Sequence, residues 1–376
     1  MSLSATSAAL GQATRAEAQR LFGAFQNWGA VPIEAAILQP AETLLDLYGE
    51  DIRARAYVTQ DPVLGEMMLR PDFTVPVVQA HMAGGAEPAR YCYMGEVFRK
   101  QEGRGGARAS EYLQVGYEVF DRAQPLRADA EVFALFARLL AGRDLRASIG
   151  DIGILRAAVT GLPTSAVRRA ALMRHLWRPG RFRALLERYA DRAPVPESRA
   201  ALLARLQAGD PVESAAPQIG LRSRAEVEAR LARLIEDAQT PAISGDLVDS
   251  VEALLGVADK APKALAQMRA HAAEMPWIAP SLDLLEQRLT ALSAHGIDVD
   301  TLDFEASYGR TTLEYYDGFV FGFSAEGRDD LPPVASGGRY DALTAVLGRG
   351  QNGDRSIPAV GGVVRPALLM ELEARA

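Results

Sequence analysis

The sequence predicts an α+β fold, with strand-bearing stretches at both ends of the chain and a long helical insert between them. Three observations lead there. Two aromatic-rich apolar runs, Arg90 to Lys100 and Glu111 to Asp121, flank a Gly/Arg-rich link from Gly103 to Ser110, the pattern of an antiparallel strand pair. From about Leu162 to Gly296 the chain becomes rich in Ala, Leu, Arg and Glu, with Pro179, Pro194, Pro211 and Pro241 between helical patterns. Strand character then returns at Leu302 to Tyr308 and Tyr315 to Ser324.

In chain order, Ala13 to Trp28 places Leu21, Phe22 and Phe25 on one side of a helix. Val31 to Leu38 reads as a strand, and Ala54 to Thr59 with Glu66 to Leu69 as a short strand pair. Asp72 is positioned to cap a helix ending near His81, with Pro76 in its first turn, where proline is tolerated. Asp129 to Leu140 carries an apolar stripe of Val132, Phe133, Phe136, Leu139 and Leu140, and Leu145 to Ile149 is a strand followed by a helix. Within the insert, helices are expected near Ser165 to His175, Phe182 to Tyr189, Glu197 to Ala208, Arg224 to Asp237 and Ser281 to His295. A helical tail runs from Ala367 to Ala376. The expected division is therefore 1–161 and 299–376 as two parts of one domain, with 162–298 as the insert.

The strand pair also holds the candidate chemistry. Side chains alternate between faces along a strand. Gln114, Gly116 and Glu118 share one face, as do Tyr91, Tyr93, Gly95, Val97 and Arg99. Where these faces coincide, an arginine, a glutamine and a carboxylate converge beside glycines that leave room. That set suits a small zwitterion, the carboxylate taking its ammonium and the arginine its acid group. A surface hairpin with solvated charges is the competing reading.

Composition narrows the function classes. Hydrophobic content of 48% and charged content of 24% fit a soluble globular chain of 376 residues. Cys92 is the only cysteine, so an intramolecular disulfide is excluded and a cysteine-based zinc site is disfavoured. His81, His175, His271 and His295 are scattered without metal-ligand spacing. No cofactor or metal is expected. The net charge of −7 argues against a nucleic-acid partner. With no leader pattern and no run long enough to span a bilayer, the expected location is the cytoplasm and no membrane partner is expected.

Three ordered segments resemble class II aminoacyl-tRNA synthetases of the histidyl type. Phe98-Arg99 with Gln114-Val115-Gly116-Tyr117-Glu118-Val119-Phe120 resembles motif 2. Leu69-Arg70-Pro71-Asp72-Phe73-Thr74 resembles the Leu-Arg-Pro-Glu-Gly-Thr segment, and Gly337-Gly338-Arg339-Tyr340-Asp341 the Gly-Gly-Arg-Tyr-Asp segment before motif 3. The resemblance covers about residues 15–160 and 300–370. It implies an antiparallel sheet flanked by helices, and a dimer built on motif 1, where the first helix and Val31 to Leu38 lie. It further implies that the C-terminal anticodon-binding domain of the synthetases is absent.

The groups that serve the nucleotide in that family are changed. Gln101 replaces the motif 2 glutamate that helps hold adenine. Thr311, within Thr311-Thr312-Leu313-Glu314-Tyr315-Tyr316, stands where the histidyl-specific arginine belongs, and Arg310 beside it falls on the other face if the segment is a strand. Leu368 stands at the motif 3 arginine, with Arg365 three residues early. The amino-acid side is kept: the resemblance implies a histidine site of Asp72, Thr74, Arg99, Gln114, Glu118, Tyr315 and Tyr316, with Arg99 on the carboxylate and Glu118 on the ammonium or imidazole. Arg339 and Asp341 are expected to pair structurally. A chain of this kind resembles the regulatory subunits of short-form ATP phosphoribosyltransferase. Those subunits have no catalysis of their own. They join a short catalytic subunit in a hetero-octamer, activate it and transmit feedback inhibition by L-histidine. The alternatives are a synthetase-like ligase that activates a free amino acid with ATP, separable by pyrophosphate exchange, and a scaffold that has lost the ligand, separable by direct histidine binding.

Overall fold

A computed structural model describes residues 3–48, 52–100, 110–209, 223–310, 315–328, 330–349 and 356–374. Its strands are β1 (Val31–Pro32), β2 (Leu38–Pro40), β3 (Val58–Asp61), β4 (Gly65–Leu69), β5 (Ala89–Phe98), β6 (Glu111–Phe120), β7 (Leu145–Asp151), β8 (Ala258–Lys260), β9 (Asp303–Glu305), β10 (Phe319–Ala325), β11 (Ala335–Arg339) and β12 (Ala359–Val364). Among the described residues they form a nine-stranded sheet, β1-β5-β6-β12-β11-β10-β7-β9-β8, and a small sheet, β2-β4-β3. The large sheet is antiparallel from β5 through to β7, while β1 pairs with β5 and β9 with β7 in parallel.

The alternation of β6 sorts the two layers that cover the sheet. Val115, Tyr117 and Val119 face the helices Leu3–Asn27 and Pro125–Leu139. Tyr117 packs its ring 5.3 Å from Phe25 and gives its hydroxyl to Glu131 at 2.8 Å. Gln114, Gly116, Glu118 and Phe120 face the other way. There His81, on the helix Thr74–Met82, stacks on Phe120 at 4.0 Å, and the helix Asp341–Leu347 packs beside it. A continuous apolar core runs through both layers.

A buried polar network ties the helical stretch to the sheet. Arg288, on the helix Ala279–Ala294, pairs with Asp129 at 2.8 Å and Asp151 at 2.5 Å. Arg339 pairs with Asp129 at 2.7 Å and with Asp341 at 3.0 Å. The expected structural pairing of Arg339 with Asp341 is thus present, inside a larger network.

Several sequence-based boundaries are corrected. Val31 to Leu38 is not one strand: only Val31 and Pro32 pair with β5, a last bond runs from the Ile33 N–H to the Cys92 carbonyl, and the chain enters a different sheet at Leu38. Residues 52–55 are a helical turn, so the expected strand at Ala54 begins only at Val58. Strand pairing near Leu302 covers only Asp303–Glu305, and Tyr315 and Tyr316 precede β10 instead of lying in it. The helices Gly245–Leu255 and Ala261–His271, and strand β8 between them, were not anticipated. The helix expected from Ala13 begins earlier, at Leu3.

Candidate functional site

The site forms on the sheet face shared by Gln114 and Glu118. The register pairs Tyr91 with Glu118, Tyr93 with Gly116 and Gly95 with Gln114, so the two expected faces do coincide. The glycines make room as expected, but for the protein's own side chains. The Tyr93 ring lies where a Cβ on Gly116 would be, and Arg70 and Phe73 fill the space over Gly95. Two further glycines on this face repeat the device. Gly361 pairs with Gly338, and the Glu118 carboxylate lies over the first and the Tyr316 ring over the second.

All the expected ligand residues except Glu118 line one cavity: Asp72, Thr74, Arg99, Gln114, Tyr315 and Tyr316. Ser336, Tyr340, Val363 and Arg365 join them. As it stands the cavity has room for about one water molecule. Asp72 comes from the turn before the helix Thr74–Met82, where its Oδ1 accepts from the Val75 N–H at 3.3 Å, close to the expected capping role. Arg99 donates Nε to the Pro71 carbonyl at 2.7 Å. Tyr315 gives its hydroxyl to Thr74 Oγ1 at 3.3 Å, and the Tyr316 ring packs edge-on against Tyr315. Burial pushes the Tyr316 phenol well up, so it stays protonated.

Glu118 lies one layer behind. Thr74 Oγ1 and the Tyr93 hydroxyl donate to its Oε1 at 3.1 and 2.9 Å, and the Tyr340 hydroxyl donates to Oε2 at 2.6 Å. Burial raises its carboxyl to about 7. The three hydroxyl donors favour the ionised form and oppose the shift, and the nearby charge of Asp72 adds to it.

Gln114 is 1% exposed, and among the described residues neither end of its amide has a hydrogen-bond partner. Arg365 was passed over in the sequence because it is out of step with the motif 3 arginine. The signal that finds it is the alternation of β12: Gly361 and Val363 face the cavity, and the next residue on that face is Arg365. Continuing the β6–β12 register by one step sets it across from Gln114. Its guanidinium donates to the Pro333 carbonyl at 2.7 Å and to Ser336 Oγ at 3.3 Å.

The nucleotide side is different. Leu368 sits in the helix Pro366–Glu373, packed against the core. Arg310 turns away from the cavity, donating Nε to the Leu176 carbonyl at 2.9 Å with its guanidinium 5.0 Å from the Phe182 ring centre. Gln101, the loop from Gly103, and Thr311 to Glu314 lie outside the described residues. Among the described residues no group of His, Cys, Asp and Glu is arranged to hold a metal ion, and no helix is long and apolar enough to cross a membrane.

Known proteins resemble this chain in sequence and in fold. A family model described as histidyl-tRNA synthetase matches residues 9–240 and 223–366. The ATP phosphoribosyltransferase regulatory subunit of Agrobacterium fabrum is 33% identical over 88% of this chain and 89% of its own. That of Mesorhizobium japonicum is 33% identical over 93% of this chain and 94% of its own. Among solved structures, an ATP phosphoribosyltransferase regulatory subunit/histidyl-tRNA synthetase from Bacillus halodurans superposes with a TM-score of 0.65 at 20% identity, over 96% of this chain and 79% of that one. A histidine–tRNA ligase subunit from Alicyclobacillus acidocaldarius gives 0.60 at 24% identity, over 97% and 94%. With the synthetase fold and close to full-length similarity to these relatives, the chain belongs to the ATP phosphoribosyltransferase regulatory subunit family.

Proposed function

We propose that the chain is a non-catalytic regulatory subunit that assembles with a short-form ATP phosphoribosyltransferase catalytic subunit, activates it, and carries feedback inhibition by L-histidine bound in the cavity. The observation that carries the ligand half of this reading is Gln114. A buried amide left unpaired costs about 1–3 kcal/mol, and here it faces a cavity whose other walls offer a carboxylate, two guanidiniums and three phenols. An amino acid supplies the donor and acceptor the amide lacks, an ammonium for Asp72 and a carboxylate for an arginine. Tyr315 and Tyr316 are the phenols available to an imidazole. Glu118 acts through Thr74 and Tyr340, orienting the wall without touching the ligand. The small free space means that the ligand displaces side chains as it enters.

The absence of chemistry is supported by Leu368 and Arg310. Activation at a phosphate depends on positive charge placed at the transferring group. One position carries a leucine and the other arginine points into the helical stretch. Self-association through the helix Leu3–Asn27 and β1, within a hetero-octamer in the cytoplasm, belongs to the same reading. Exposed Val31 on β1 supports it.

The test is reconstitution with a short catalytic subunit. The wild-type complex is expected to be active and inhibited by histidine. Glu118→Gln should assemble and activate, with histidine affinity lowered about tenfold, as expected for weakening a charge-assisted set of hydrogen bonds. Histidine-dependent ATP–pyrophosphate exchange by the chain alone would overturn the reading.

A further inference from the structure

Buried guanidiniums are normally met by carboxylates. Arg168, Arg288 and Arg339 follow that rule, at 2.7 Å from Asp237, 2.8 Å from Asp129 and 2.7 Å from Asp129. Arg70 and Arg310 donate to main-chain carbonyls instead, and neither faces the cavity. Arg365, part-buried, is a third guanidinium without a carboxylate, and it differs from those two in where it points. It faces the cavity, its neighbours are the Pro333 carbonyl, Ser336 Oγ and the Tyr112 hydroxyl, and no carboxylate pairs with it among the described residues.

Arg99 lines the same cavity. Burial first, and then the charge of Arg99, hold the Arg365 guanidinium below the usual arginine range, with Tyr112 opposing the shift. Two like charges facing one small space repel unless an anion sits between them. Among the described residues Asp72 is the one carboxylate that lines that space. Ser336 and Pro333 hold the Arg365 fork from behind, which fixes its direction before a ligand arrives.

We propose that Arg365 is the residue that binds the ligand's carboxylate, so that an amino acid lies with its acid group toward the end of β12 and its ammonium toward Asp72. This rests on the reading that the cavity takes an amino acid. It moves the carboxylate from Arg99, where the sequence resemblance put it, to a residue outside the motif.

The experiment is calorimetry with histidine and with histamine, which lacks the carboxylate, on the wild-type chain and on Arg365→Met, Arg365→Lys and Arg99→Met. The wild type should prefer histidine by at least about tenfold, the size of one buried charge-assisted contact. Arg365→Met should bind both compounds alike, Arg365→Lys should keep part of the preference, and Arg99→Met should keep most of it. A preference that survives Arg365→Met, or that disappears only in Arg99→Met, overturns the assignment and leaves the amino-acid reading standing. Failure of the wild type to bind histidine overturns both. Should Arg365→Met fail to fold by circular dichroism, Arg365→Lys and Ser336→Ala decide: a reduced preference in both supports the assignment, and an unchanged one in both overturns it.

Discussion

Two buried polar clusters lie on opposite faces of the same sheet, and they differ in how completely they are paired. Around Asp129, each guanidinium has a carboxylate: Arg288 meets Asp129 and Asp151, and Arg339 meets Asp129 and Asp341. Around Gln114, among the described residues, an amide has no hydrogen-bond partner and Arg365 has no carboxylate. The first cluster is complete as it stands and joins the helix Ala279–Ala294 to the sheet. The second, among the described residues, is left with groups unpaired. Burial alone does not separate structural from functional polar groups. The state of their pairing does.

Four measurements break or sharpen that contrast. Asp129→Asn leaves Arg288 and Arg339 without their shared partner, so urea unfolding should show a loss of about 3–5 kcal/mol. A much smaller loss would mean the first cluster is not the closed structural unit described. Next comes pH. The folded Glu118 carboxyl is raised to about 7 from an ordinary 4.5. Between those values the folded chain holds a proton that the unfolded chain releases. The contribution is therefore fully present below about pH 4.5 and lost as pH rises through about 7, a change of up to about 3 kcal/mol. Glu118→Gln removes that slope, so the difference between the two stability–pH curves isolates it. Parallel curves would show that Glu118 is ionised throughout.

Gln114→Leu tests the open cluster directly. Without ligand the variant should be more stable than wild type by about 1–3 kcal/mol, because an unpaired buried amide is gone, and its histidine affinity should fall. A destabilised variant would mean that the amide is satisfied in the resting protein. The smallest effect is expected at the surface: Arg183→Ala breaks an exposed pair with Glu252, and the unfolding midpoint should stay where it is.

Much of this was legible from the residues, for physical reasons that also mark where the reading stops. The β5–β6 pair is long and regular, so period-two alternation fixed its faces and brought Arg99, Gln114 and Glu118 to one region. Alternation does not give depth, and it could not show that three hydroxyls enclose the Glu118 carboxylate. Arg365 obeys the same alternation along β12, but a comparison by motif looked for its charge three residues later. The helices Gly245–Leu255 and Ala261–His271 were hidden by short length and by the Gly and Pro at their starts. Ser244 accepting from the Leu247 N–H, and Pro262 in a first turn, are the local signals that define them. The stretch after Val31 has the composition of a strand, yet a change of sheet leaves only two residues paired there.

Three of the glycines on the cavity face, Gly116, Gly338 and Gly361, have a consequence for how this protein can evolve. Each lies beneath a polar-tipped side chain that crowds the space of its missing Cβ, Tyr93, Tyr316 and Glu118, and at Gly338 the Phe319 carbonyl crowds it too. At these positions alanine is already too large, and a larger residue adds little further harm. Tolerance there is a step, not a slope: a saturation library should show all nineteen replacements failing together. Drift in ligand preference is then confined to the walls, Asp72, Gln114, Tyr315 and Arg365, where a side chain can change without lifting the layer that lies flat on the sheet.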